Sequence, residues 1–508
     1  MGRPRAGSCG RDLWLTGAPA AQLEFIYRSE TRDRPKLLVK CMYGIAFILL
    51  GNLSGNAIAF GIYVMHAAGD KEPKKGPVIG LAVAALSLTT LLHVLSRRAG
   101  IACNNIFAVL KVALLLVIVG LGFEKAGGSA LGGQPEADAQ FDIDTSFKPG
   151  ATDVASVSDS LLYVVYTFSG YEQPFYVLTE VARPRRVFPR YTLLAMAVAV
   201  TLFLLVNAAY FCAVPIDDEE LKRHRNMAAV FSSRIFGNDT AQRVMDGMVA
   251  FSIFGNLLAM TYTAPRVKQE IAKEGILPWS LVFATSHKTP TALLSRRRGG
   301  GGGDDDDETP EQAPMAAHGL HLFTSVLLVA LTAMFSPDIA YSVLVTLYSY
   351  PIIMVNGFFT SFGLLYLKFK ASRRWKDPNF NPRGGTVYAA VYFVSCTFML
   401  LAAFAPPSDD DGGIKWYLLP AIGLSVPLWG VVWYLGLRLI MVKRGRYLVV
   451  RRDPTTKPDE EVPGQYVMTA EQITHDWHVL RARRAAPPAV GDMEFRPLGS
   501  PAPRQRRG

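Results

Sequence analysis

Ten apolar stretches in this chain are each long enough to cross a lipid bilayer, and they leave little sequence for anything else. A hydrocarbon core about 30 Å thick takes about 20 mostly apolar residues per helix. Such runs fall at residues 41–65, 77–95, 101–123, 156–181, 191–214, 241–264, 317–335, 339–366, 386–405 and 416–441. Half of the 508 residues are hydrophobic, and mean hydropathy is positive. The expected fold is therefore all-α and integral to a membrane, one polytopic domain over 37–442. A cytoplasmic segment, 1–36, precedes it, and a basic, proline-bearing tail, 443–508, follows. That tail reads as solvated and without fixed structure, apart from a short helix near "TAEQITHDW".

A net charge of +11 would suit a nucleic-acid partner, but the basic residues are distributed otherwise. They gather in alternate loops. Arg28, Arg32, Arg34 and Lys36 precede the first run, Arg97 and Arg98 separate the second from the third, and Lys368, Lys370, Arg373 and Arg374 follow the eighth. Most intervening loops, such as "PIDDEELKRHRN" and "PPSDDDGG", are acidic or mixed, with "GDKEPKKGP" the exception. Lysine and arginine favour the cytoplasmic side. An even number of spans then leaves both termini in the cytoplasm. The partner implied is the bilayer, not nucleic acid. The N-terminus has no apolar core of the kind a signal peptide needs.

Cys41, Cys103, Cys212 and Cys396 lie in apolar runs and behave as small hydrophobes; their spacing offers neither a disulfide framework nor a metal site. No cofactor is implied. The stretch 295–314, "SRRRGGGGGDDDDETPEQAP", has too much glycine and like charge to pack. Asn238 opens a glycosylation sequon, Asn-Asp-Thr, in a loop assigned to the outside. The sequon at Asn52 falls inside a span and is set aside.

Two features carry chemistry. The fourth run is interrupted by Ser169, Gly170, Glu172, Gln173 and Pro174. In hydrocarbon every backbone polar group needs a partner, so irregular backbone survives only inside protein or beside a wet cavity. Broken helices of this kind offer freed amides to anions and freed carbonyls to cations. Pro174 suits the first turn of a restarted helix. Lys111 is the second feature. It lies about ten residues, or roughly 15 Å, into its span. A charged amine at that depth is costly, so this one is expected to give up and regain a proton during function. Gly255 and Asn256, in "FSIFGNLLAM", are small or polar; close helix packing explains them as well as substrate contact does. The tyrosines of "YSVLVTLYSYPIIMV" suit either a cavity lining or an interfacial anchor.

These stretches resemble the amino acid–polyamine–organocation superfamily. "FSGYEQPFYVLTEVARPRRVFP" resembles its sixth-helix signature, and "NNIFAVLKVALLLVIVGLGF" its fifth helix, with Lys111 at the lysine that replaces a sodium site. "TAPRVKQEIAKEGILPW" resembles the end of the eighth helix, and the region up to "VMHAAG" the third. The branch it looks most like is that of the fungal L-type transporters and methionine permeases. The resemblance implies a LeuT-like inverted-repeat bundle and a neutral amino-acid substrate such as methionine or leucine. It implies proton coupling through Lys111 and residence in the plasma membrane. It also implies that Tyr166 is an aromatic gate and that Tyr166, Thr167, Phe168, Ser169, Gly170 and Tyr171 bind substrate, their carbonyls facing its ammonium group. Gly255 and Asn256 are further substrate candidates.

One departure stands out. The family's glycine-rich first helix, which holds the substrate carboxylate, has no counterpart here. The ten runs look like helices three to twelve of a twelve-helix fold. The expectation is a secondary amino-acid transporter that moves substrate poorly or not at all as given. The alternative is a non-transporting nutrient sensor or a truncated permease, and upstream sequence bearing the glycine-rich helix would decide between them. Neither paired intramembrane acids nor a nucleophile motif points to an enzyme.

Overall fold

A computed structural model describes residues 37–126, 154–178, 184–214, 227–298, 311–369, 384–406, 415–458 and 466–479. In chain order the helices are α1 Leu37–Leu50, α2 Ser54–Ala67, α3 Lys75–Leu95, α4 Arg97–Ala126, α5 Val154–Thr167, α6 Gln173–Tyr176, α7 Pro184–Ala213, α8 Met227–Phe236, α9 Asp239–Lys273 and α10 Ser280–Ala284. A two-residue strand, β1 (His287–Lys288), α11 (Pro290–Arg298) and a second short strand, β2 (Gln312–Ala313), follow. The remaining helices are α12 Met315–Thr332, α13 Pro337–Tyr348, a π-helical segment Ser349–Val355, α14 Asn356–Phe369, α15 Gly385–Ala402 and α16 Leu418–Lys443. Two longer strands, β3 (Arg446–Pro458) and β4 (Tyr466–Val479), close the order.

The described residues contain nine helical spans long and apolar enough to cross a membrane, and α5 adds a shorter apolar one. This is an all-α membrane bundle of about ten helices, with limits near those expected from the apolar runs. Lipid-facing surfaces are apolar: Leu110 and Leu116 on α4, and Leu193 and Leu204 on α7, are exposed.

α9 is the pillar of the bundle. The Asn238 side chain accepts from the Ala241 amide at 2.7 Å and so caps its start. Gly275, at φ +74°, turns the chain away just past its end. All three apolar clusters include α9. One joins Phe47 of α1, Tyr176 of α6, Ile271 of α9, Tyr350 and Val426. A second joins Ile58, Val78, Leu257 and Val329 from α2, α3, α9 and α12. The third joins Ile118, Val206, Phe231 and Met245 from α4, α7, α8 and α9.

Two regions differ from the sequence-based expectation. The tail beyond 443 is not without structure: β3 and β4 pair antiparallel from Arg446–Val479 through Pro458–Tyr466. The short helix expected at 469–477 is instead part of strand β4, whose backbone pairs with β3, Glu471 opposite Pro454 and Trp477 opposite Leu448. Of the low-complexity stretch 295–314, residues 299–310 lie outside the described residues, and only its two flanks are described. Arg298 closes α11, β2 pairs with β1, and Glu311 Oε1 accepts from the Arg98 amide at 2.9 Å. Last, the first span is broken between Leu50 and Ser54.

Candidate functional site

The interruption expected in the fourth run is present. α5 stops at Thr167, residues 168–172 form a turn, and α6 restarts at Gln173 with Pro174 in its first turn. Gly170 has φ +105°, a conformation that a side chain strains. The Glu172 carboxylate closes the turn. Its Oε2 accepts from the Gly170 amide at 2.9 Å, and its Oε1 accepts from Gln173 Nε2 at 3.1 Å and the Tyr348 hydroxyl at 3.3 Å. Thr263 Oγ1 of α9 donates to Gln173 Oε1. The break is thus held by α9 on one side and α13 on the other. Within it, the Tyr166 carbonyl accepts from the Ser169 amide and the Gly170 carbonyl from the Gln173 amide, each at 3.0 Å. None of the turn's amides bonds to the carbonyls of Thr167, Phe168 or Ser169 among the described residues.

Tyr166 donates its hydroxyl to Asn56 Oδ1 of α2 at 2.7 Å, and its ring meets Tyr348 edge-on at 6.3 Å. Tyr171 points another way, its hydroxyl 2.8 Å from that of Tyr392 on α15. The expected site residues therefore diverge along one short turn.

Lys111 sits half-buried between α4 and α9, and its ammonium donates to Asn256 Oδ1. Gly255 makes room for it: a Cβ there would lie 2.9 Å from the Phe107 ring and 3.0 Å from Lys111 Cε. Gly255 and Asn256 thus group with Lys111, and no described hydrogen bond joins them to the turn at Tyr166–Tyr171. The two groups nevertheless share a helix. Asn256 and Thr263 are seven residues apart, which is two turns, about 10 Å along α9 and within about 20° of one direction. Asn238 is exposed at the start of α9.

A family model described as "Amino acid permease" matches residues 13–427. The chain belongs to the amino acid permease family. Its relatives are transporters, not enzymes. The permease is 27% identical over 451 residues to the high-affinity methionine permease of Saccharomyces cerevisiae, an alignment covering 87% of this chain and 71% of that one. It is 26% identical over 301 residues to the cystine/glutamate transporter of Homo sapiens, covering 58% and 49%. It is 26% identical over 204 residues to the b(0,+)-type amino acid transporter 1 of Oryctolagus cuniculus, covering 40% and 39%. The permease therefore spans less than half the length of the latter two.

Three polar residues at the permease's breaks escaped the sequence reading. Asn56 and Thr263 lie in apolar runs where one amide or hydroxyl barely changes hydropathy. Lys268 was hidden because the apolar run ends near 264, whereas α9 continues to Lys273 with Lys268 fully buried.

Proposed function

We propose that the permease carries a neutral amino acid of the methionine or leucine class across the plasma membrane, with proton coupling and both termini cytoplasmic. The observation that carries the reading is the turn at 168–172: a helix interrupted inside the bundle, its Glu172 carboxylate already occupied, and three carbonyls that no amide of the turn takes among the described residues. The carbonyls of Thr167, Phe168 and Ser169 suit an ammonium group, since freed carbonyls at a broken helix attract cations. Tyr166, next to them, supplies an aromatic ring of the kind that suits an apolar side chain. Lys111 suits the coupling role, because its ammonium bonds to neutral Asn256 and shares one face of α9 with the substrate turn. The alternating loop charges support the sidedness. Similarity to a methionine permease supports the substrate class.

The test is uptake of labelled methionine and leucine by cells lacking their own permeases, comparing at equal surface abundance the chain as given, expected to transport poorly, with one that carries the first two helices of a relative upstream of Gln22. Gly170→Leu adds a side chain where φ is +105° and should abolish uptake while the protein still reaches the surface. In the chain extended with a relative's first two helices, uptake by Gly170→Leu equal to that of the same chain bearing Gly170 would overturn the assignment of the turn. Saturable methionine binding without uptake by the unaltered chain would favour a sensor.

A further inference from the structure

The break in the first span has a fully buried lysine at its centre. In an unbroken helix the Asn52 amide would bond to the Ile48 carbonyl, and the Leu53 amide to Leu49. Here Asn52 N donates to the Leu50 carbonyl at 2.8 Å, so the Ile48 carbonyl loses its helical donor. The Asn52 side chain takes up Leu49, its Nδ2 donating to that carbonyl at 3.1 Å. Ile48 is served from a different helix: Lys268 Nζ of α9 donates to its carbonyl at 3.0 Å and to Thr324 Oγ1 of α12 at 2.7 Å. Lys268 is 0% exposed, and among the described residues no carboxylate forms an ion pair with it. An ammonium so placed is expensive to desolvate, and what it does here is tie three helices together at a helix break.

The far side of the break is tied to α12 as well, where Ser54 Oγ donates to the Ser325 carbonyl at 3.0 Å. Two residues on, Asn56 lies about 200° around α2 from Ser54. One face of this short stretch is therefore held by α12, and the opposite face holds the Tyr166 hydroxyl.

We propose that Lys268 is a positioning residue for substrate binding: by joining the Ile48 carbonyl to Thr324 it fixes the break at Gly51–Leu53, and so sets where Asn56 holds Tyr166. The proposal rests on the reading of Tyr166–Tyr171 as the substrate turn. Lys268 acts through Asn56 and Tyr166 and does not meet the substrate. Removing its donor frees the Ile48 carbonyl to seek another partner, and the break, the softest point of the span, reorients first.

Equilibrium binding of radiolabelled methionine to the purified full chain tests this, with thermal unfolding read in parallel. Lys268→Met keeps the side-chain length and removes the donors; it should weaken binding about tenfold. Tyr166→Phe removes the hydroxyl at the other end and should weaken binding to a similar extent. Because both act on one hydroxyl position, the double variant should bind no more than about twofold worse than the weaker single, whereas independent sites multiply their effects. Thr324→Val, which removes one partner of the ammonium, should show a smaller loss with the same non-additivity. If Lys268→Met fails to fold, the cycle of Thr324→Val with Tyr166→Phe decides by the same criterion. Unchanged affinity in Lys268→Met, or a double variant that shows the product of the two losses, overturns the relay and leaves Lys268 a packing residue. Unchanged affinity in Tyr166→Phe overturns the substrate turn itself and the relay with it; weakened binding there with multiplied effects sinks the relay alone.

Discussion

Glu274→Gln should loosen the β3–β4 hairpin from the end of α9, and the ion pairs there give the size of the effect. Three cations, Lys40, Lys273 and Arg452, meet three carboxylates, Glu270, Glu274 and Glu471, so the cluster is neutral as a whole. Glu274 stands between α1 and the hairpin. It accepts from Lys40 and, at 2.6 Å, from Arg452 Nη2. The side chains are 14–21% exposed, which sets them between two regimes. Exposed pairs contribute up to about 1 kcal/mol, and losing one partner of a fully buried pair costs about 3–5 kcal/mol. About 2 kcal/mol is the intermediate expectation, or about 30-fold in the docking equilibrium. Apolar contacts remain, because Leu448 is buried and packs where Gly275 leaves space.

Amide hydrogen exchange over Arg446–Pro458 is the assay. Protection in the variant should fall about 30-fold, with the first half of α9 unchanged. Equal protection in both proteins would refute the role given to Glu274, and an equal loss along the whole of α9 would mean general destabilisation instead. The pH dependence has a definite sign. Burial alone would raise the Glu274 carboxyl, but Lys40 and Arg452 outweigh it and hold the group below its ordinary value. A depressed carboxyl contributes stability above its unfolded value, about 4.3, and loses that contribution as pH falls through the folded value. Docking should therefore weaken in acid in the native protein, and this part of the pH dependence should vanish in Glu274→Gln.

Lys111→Ala should flatten the pH dependence of uptake while methionine binding persists, and Asn256→Ala, which keeps the amine, should retain a pH dependence; identical profiles for Lys111→Ala and the native protein would make the lysine structural. Thr240→Ala removes the sequon yet leaves the Asn238 cap on Ala241 intact, so it should abolish a glycosidase-sensitive gel shift without altering thermal stability, and absence of that shift in the native protein would argue against an outward-facing loop.

How much of this was legible in the sequence depended on how polar residues are spaced. The fourth run revealed its break because Ser169, Gly170, Glu172 and Pro174 crowd into six positions. The first run concealed its own, since Gly51-Asn52-Leu53-Ser54 reads as a small dip in an apolar stretch, and one freed carbonyl, Ile48, is served by a side chain 220 residues away while Asn52 serves Leu49 locally. Spans were found because apolar runs of sufficient length have one reading in a bilayer. The hairpin was missed for the opposite reason: its apolar face is short, Leu448 and Val450 beside Gly275, within strands otherwise rich in charged and polar residues, and the carboxylates that fix Arg452 come from the end of α9. Lys111 was legible as an outlier, but Asn256 was read as a packing or substrate-contact residue and not as the partner of Lys111.

One helix accounts for most of these long-range connections. α9 meets Lys111 through Asn256, the restart of the interrupted helix through Thr263, the first-span break through Lys268, and the hairpin through Glu270 and Lys273. Successive contacts point in different directions: Asn256 and Thr263 share a face, whereas Lys268, five residues beyond Thr263, is turned about 140° from it. A helix with polar contacts on more than one face cannot turn those faces to lipid without leaving polar groups unpartnered, so α9 must stay enclosed through any transport cycle. Rearrangement then falls to the elements that grip it. The two interrupted helices are the ones already equipped for that, since each has a short non-helical stretch that can change direction while the segments on either side keep their own hydrogen bonds. Movement of the turn at 168–172 relative to α9 would require the Thr263–Gln173 bond to open, and movement of the first-span break would require Lys268 to release Ile48. These two bonds, from one helix to two breaks, are the contacts that movement of either break against α9 has to open.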